Sequence, residues 1–194
     1  MLLLLLLKTP TDVVRAALQE LKFSRADSDA VGIVLSLHQW LTEHLTSADG
    51  AAEATALDPS RVGRIWKLGA VKHGIPAAKD WLLVMRAAAA PQLSGRPRSV
   101  PDEDLADPTE WIGFGQPEVS LLLERGQGWL EEMPVSTLKE LALSGHDLVK
   151  HFDKPAGPWL GSFLQALMER VALGELLNDQ QELLAAAELL TSNN

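Results

Sequence analysis

Residues 58–74 read Asp58-Pro59-Ser60-Arg61-Val62-Gly63-Arg64-Ile65-Trp66-Lys67-Leu68-Gly69-Ala70-Val71-Lys72-His73-Gly74. The stretch carries its own start and stop signals. Asp58 can cap a helix, and Pro59 suits the first turn, where its missing N–H would have had no partner. Gly74 can end the helix. Between these limits Arg61, Arg64, Lys67 and Lys72 fall on one broad arc of a helical wheel, and Val62, Ile65 and Trp66 on the other side. The spacing predicts a helix over about Ser60 to His73, basic on its outer face and with Trp66 in the core.

Helical periodicity continues on both sides. Pro76 opens a helix over about Ala77 to Ala90. Upstream, 49–57 is small and polar enough to be a connection. Before it Val31, Val34, Leu35, Leu37, Leu41 and Leu45 give an apolar face to a helix that Ser28 or Asp29 starts, and Thr11-Asp12 can cap another running to about Lys22. Downstream, Pro91, Pro97, Pro101, Pro108 and Pro117 punctuate a linker or extended loop over 91–117. Helices resume at about Glu118 to Glu132, Ser136 to Leu143, Asp147 to Phe152, Pro158 to Leu173 and Asp179 to Leu190. No run alternates apolar and polar residues with β-branched enrichment. The expectation is an all-α chain, an irregular multi-helix array in two sub-domains without a sheet: a helical body over 1–90, the Pro-rich segment 91–117, and a helical tail over 118–194.

With 194 residues, 46% of them hydrophobic, the chain can fill a core without staples, and it has no cysteine. That excludes disulfides, thiolate metal sites and cysteine nucleophiles, and it fits a reducing cytoplasm. The apolar run Leu2 to Leu7 is far short of the roughly 20 residues a membrane span needs, and it lacks the flanks of a secretory signal. It reads as the remnant of a buried helix.

The net charge of -9 conceals a strong segregation. Arg61, Arg64, Lys67, Lys72, Lys79, Arg86, Arg96 and Arg98 face only Asp80 between positions 61 and 98. A solvated face ordinarily mixes both signs, whereas a one-sign stretch is the footprint of a surface that tracks phosphate. Arg61, Arg64, Lys67, Lys72, Lys79 and Arg86 are the candidate RNA contacts of the body.

A second informative stretch is Pro134-Val135-Ser136-Thr137-Leu138-Lys139-Glu140-Leu141-Ala142-Leu143-Ser144-Gly145-His146-Asp147-Leu148, continued by Lys154-Pro155-Ala156-Gly157-Pro158-Trp159-Leu160-Gly161. Gly145 can end the Ser136 helix in a left-handed conformation, and Asp147 can accept N–H groups at the start of the next helix. Gly157 and Gly161 leave the start of the long Pro158 helix uncluttered, so its N–H groups and positive dipole end can receive a phosphate.

This stretch resembles the tail of bacterial class II CCA-adding enzymes, which carry a leucine-rich helix, Gly-Lys-Asp-Leu, a Pro-Gly-Pro turn, a long helix and a Gly-x-Leu-x-Asn ending. Here the ending is Gly174-Glu175-Leu176-Leu177-Asn178, one residue longer in its spacing. His146 stands where the family has lysine, and Ala156 lengthens the Pro-Gly-Pro turn. Leu21-Lys22-Phe23-Ser24 is similar to the Leu-Lys-x-Ser that begins the later body segment. The resemblance implies a body and tail that hold the acceptor and T arms of tRNA for 3′-CCA addition by a catalytic head missing from this chain. It adds His146, Lys150, Lys154, Gly157 and Gly161 to the candidate RNA contacts.

The resemblance also implies that the chain alone is inactive, with no catalytic residue, metal site or cofactor of its own; the full family enzyme uses Mg with ATP and CTP. Asp102-Glu103-Asp104 has the Asp-x-Asp spacing of the family's metal pair but lies in the Pro-rich segment without a strand to present it. The family's Glu-Asp-x-x-Arg template is absent too, since Glu103-Asp104 is followed by Asp107. His146-Asp147 suggests a metal phosphohydrolase only if other ligands converge on it. The rival reading is a helical protein-interaction scaffold with no nucleic-acid role, in which the basic stretch pairs with the acidic C-terminal half.

Overall fold

The computed structural model describes residues 9, 11–46, 58–93 and 116–192. Among these the chain is all-α, with no strand. The described helices are α1 (Thr11–Glu20), α2 (Arg25–Thr46), α3 (Pro59–His73), α4 (Ile75–Leu93), α5 (Gln116–Glu131), α6 (Gly145–Phe152), α7 (Pro158–Ala172) and α8 (Gln180–Ser192), and a 3-10 turn lies at Leu138–Glu140. No helix among the described residues is long and apolar enough to cross a membrane. The Leu2–Leu7 run, Arg96, Arg98, Asp102-Glu103-Asp104 and most of the 91–117 segment lie outside the described residues.

The chain forms two compact units, 1–128 and 129–194. In the first, α2 packs against α1, α3 and α4. Trp66 and Trp81 are fully buried there with Leu35, Leu37, Leu41 and Met85. Each indole N–H finds an acceptor, Trp66 Nε1 donating to the Gly126 carbonyl at 2.9 Å and Trp81 Nε1 to His38 Nδ1 at 3.2 Å. Paired in this way, both rings contribute apolar burial without leaving a donor unmet. In the second unit α7 packs against α6, α8 and the 3-10 turn, around Leu148, Leu167, Val171, Leu183 and Ala187.

The helix that decides the fold begins and ends where its sequence says. Asp58 accepts the Ser60 N–H at 2.9 Å, and Gly74 stops the helix at φ 94°, in a region glycine enters freely. Four boundaries differ from expectation. α2 starts at Arg25 rather than at Ser28 or Asp29, because Ser24 caps it, its hydroxyl oxygen accepting the Asp27 N–H at 3.1 Å. α4 runs through Pro91 to Leu93, carried by the run Ala87–Ala90 of the strongest helix former. The expected Ser136–Leu143 helix is only the Leu138–Glu140 turn. Its Glu140 carboxylate reaches back to the N–H groups of Ser136 and Thr137 at 2.6 and 3.2 Å, closing one turn and no more. Finally, Gly145 is not a left-handed stop but the first residue of α6, behind the cap Ser144.

Candidate nucleic-acid interface

On the first unit, α3 carries Arg61, Arg64, Lys67 and Lys72, and α4 carries Lys79 and Arg86. All are exposed except Lys67, which is half-buried. Several already have work inside the protein. An Arg61 guanidinium nitrogen donates to the His44 carbonyl at 3.1 Å, taking one of the acceptors that the end of α2 leaves without an N–H. Arg86 donates to the Leu123 carbonyl at 3.2 Å, and Arg64 and Lys67 also have partners within the protein. The Lys72 ammonium stands 5.8 Å from the centre of the Trp40 ring. The basic arc is thus partly engaged with its own scaffold, and a guanidinium retains further donors beyond one such bond.

Reasoning from charge alone missed the aromatic side of this surface. Trp40 and His44 stack with ring centres 4.0 Å apart and planes 24° from parallel, and His73 lies 6.4 Å from Trp40. The signal that could have found the pair is its spacing of four residues on one helix. Trp40 sits this close to α3 because Gly69 has no side chain. A Cβ there would come within 3.0 Å of both Trp40 and Leu37. Burial, then the neighbouring Lys72 charge, lowers the pKa of His73, whose buried Nε2 has no hydrogen-bond partner.

On the second unit the expected contacts separate into two groups. His146 and Lys150 project from α6 one turn apart, around Asp147. The Asp147 carboxylate accepts the Ser144 hydroxyl at 2.6 Å and its N–H at 2.9 Å, while the Ser144 oxygen accepts the Asp147 N–H at 3.3 Å. This is a reciprocal cap. The Ser144 bonds first, then the charges of His146 and Lys150, hold the Asp147 pKa below the usual carboxylate value. A carboxylate charged between two candidate cations makes that spot a weaker phosphate site. Among the described residues no group of three or more His, Cys, Asp or Glu is placed to hold a metal ion.

The second group comes together around Trp159. Lys154 Nζ lies 5.2 Å from the ring centre, and the indole N–H donates to the Pro155 carbonyl at 2.9 Å, closing the turn that leads into α7. Phe152 and Phe163 meet Trp159 edge to face at 6.1 and 5.6 Å. Gly157 caps α7 without a side-chain bond, and Gly161 one turn on is exposed, with open space where a Cβ would stand. Lys154, Gly157 and Gly161 therefore share one end of one helix, an arrangement suited to an anion.

Comparison with known proteins finds similarity over part of the chain, about a third of its length. Residues 121–187 match the family model for tRNA nucleotidyltransferase domain 2, described as putative. A CC-adding tRNA nucleotidyltransferase of Halalkalibacterium halodurans is 37% identical over 71 residues, 37% of this chain and 18% of that enzyme. A CCA-adding enzyme of Limosilactobacillus fermentum is 46% identical over 65 residues, 33% of this chain and 16% of the enzyme, and one of Geobacillus sp. (strain WCH70) is 41% identical over 51 residues, 26% and 13%. The chain therefore matches less than a fifth of the length of these relatives. No solved structure matches it. The expected resemblance to the C-terminal region of CCA-adding enzymes holds, and the tail motif at 134–178 lies inside the matched residues.

Proposed function

We propose that this chain is the tRNA-binding body and tail portion of a CCA-adding tRNA nucleotidyltransferase. It holds the acceptor and T arms while a head domain outside these 194 residues adds or repairs the 3′ end. The observation that carries the reading is the family match over 121–187. The basic stretch on α3 and α4 supports it, because an A-form duplex hides the edges of its major groove and is recognised by shape and phosphate. Lys72 and Lys79 on the body, and Lys154 with the glycine-edged start of α7 on the tail, supply such contacts without reading sequence. His146 and Lys150 contribute less, since Asp147 lies between them. Nucleotide transfer with Mg, ATP and CTP belongs to the head, and no step of it is assigned to residues of this chain.

Hydroxyl-radical footprinting of tRNA bound to the chain tests the reading. Protection is expected on the riboses of the acceptor and T arms, with the anticodon arm cleaved as in free tRNA. Uniform protection, or protection centred on the anticodon arm, would contradict it.

A further inference from the structure

We propose that the Trp40–His44 stack is a landing platform for an unpaired RNA base, with Lys72 holding the phosphate beside it. The inference rests on the RNA-binding reading above and gives the first unit a contact outside the 121–187 family match. His44 is exposed although one of its faces lies against Trp40 at 4.0 Å. The stacked face is covered by Trp40, which leaves the other face of the ring as the one available to a ligand. The ring is also oriented from within. Nδ1 lies 2.8 Å from the Trp40 carbonyl, which can only accept, so Nδ1 carries the proton and Nε2 is the acceptor of the neutral ring. Arg61 binds the His44 carbonyl itself and pins the end of α2.

A flat ring held with one face outward is what a base stacks on, and stacking accepts any base because every base has a π face. Lys72 completes the site. It is exposed and lies over the Trp40 ring, 5.8 Å from its centre, so the stack carries a cation with which the phosphate of a stacked nucleotide can pair. Gly69 makes the arrangement possible by letting Trp40 lie against α3. Bases inside a duplex are already stacked on each other, so the platform favours a loop, a bulge or a single-stranded end.

The test compares an RNA hairpin bearing an unpaired loop with a blunt RNA duplex of equal phosphate count, binding to the whole chain. His44→Ala should weaken hairpin binding about fivefold or more and leave duplex binding unchanged, given roughly 1 kcal/mol or more per stacked base. His44→Phe keeps a π face without the imidazole nitrogens and should restore the hairpin affinity. Lys72→Gln should weaken both RNAs and lower the salt slope by about 0.7–0.9. Equal hairpin affinity for His44→Ala and the unchanged protein overturns the platform, and so does a His44→Phe protein as weak as His44→Ala. In both cases salt-sensitive duplex binding by the unchanged protein would leave the tRNA-binding reading standing. Failure of the unchanged protein to bind either RNA overturns both.

Discussion

His38 and Trp81 meet inside the first unit, the indole donating to an imidazole nitrogen that is almost wholly buried. Burial favours the neutral ring and pushes the His38 pKa down to about 4. The unfolded chain takes up a proton near pH 6.5 and the folded protein only near 4, so between those values the unfolded state binds more protons. The stability held by neutral His38 is therefore complete above pH 6.5 and is lost as pH falls towards 4. Urea unfolding at about pH 7 and 4.5 should show roughly 2–3 kcal/mol more acid loss in the unchanged protein than in His38→Asn, whose amide oxygen can accept from Trp81 without titrating. Equal acid loss in both would remove His38 from the account. At this scale Trp66 was legible, because it lies opposite the basic arc on its wheel. The exposure of His44 was not, since it depends on how much of α2 the neighbouring helix covers.

Among the elements, the segment from Ser136 to Leu143 departs furthest from its sequence. Its leucines recur at helical spacing, yet the backbone makes a single 3-10 turn. Part of the reason is local, the Glu140 carboxylate closing on Ser136 and Thr137. The rest comes from Asn178, whose amide donates to the Glu140 carbonyl at 2.8 Å and accepts the Ala142 N–H at 2.8 Å. A partner 36 residues downstream from Ala142 leaves no trace in local periodicity. The final Asn of the tail motif thus has a physical task, to tie the loop before α8 to the turn before α6. Asn178→Ala should cost roughly 1–2 kcal/mol, two net hydrogen bonds between largely exposed groups, and should speed amide exchange at Ala142. Unchanged exchange at Ala142 would show that the tie does not hold the segment. Helices α3 and α7, with proline in the first turn, were readable because those signals lie within a few residues of what they control.

At the scale of the whole molecule, the all-α class of the described residues and the similarity of residues 121–187 to tRNA nucleotidyltransferases were legible, the first from helical periodicity on both sides of the Pro-rich segment and the second from the turn and ending motifs. Which cations are engaged internally was not, because it depends on contacts such as Arg61 to His44 and Arg86 to Leu123. For a chain of net charge -9, the proposed RNA binding requires a segregated surface, and the basic stretch from Arg61 is the one its sequence offers. The most direct measurement is the affinity of the whole chain for tRNA across a salt series, for the unchanged protein and for a variant with Arg61, Arg64, Lys67 and Lys72 changed to Gln. Gln is a comparable helix former, so α3 should persist. The unchanged protein should lose affinity steeply with salt. The variant should bind more weakly, with a slope shallower by about 0.7–0.9 for each phosphate that it no longer neutralises. Unchanged affinity and unchanged slope in a folded variant would contradict RNA binding through the basic arc and favour the protein-interaction scaffold.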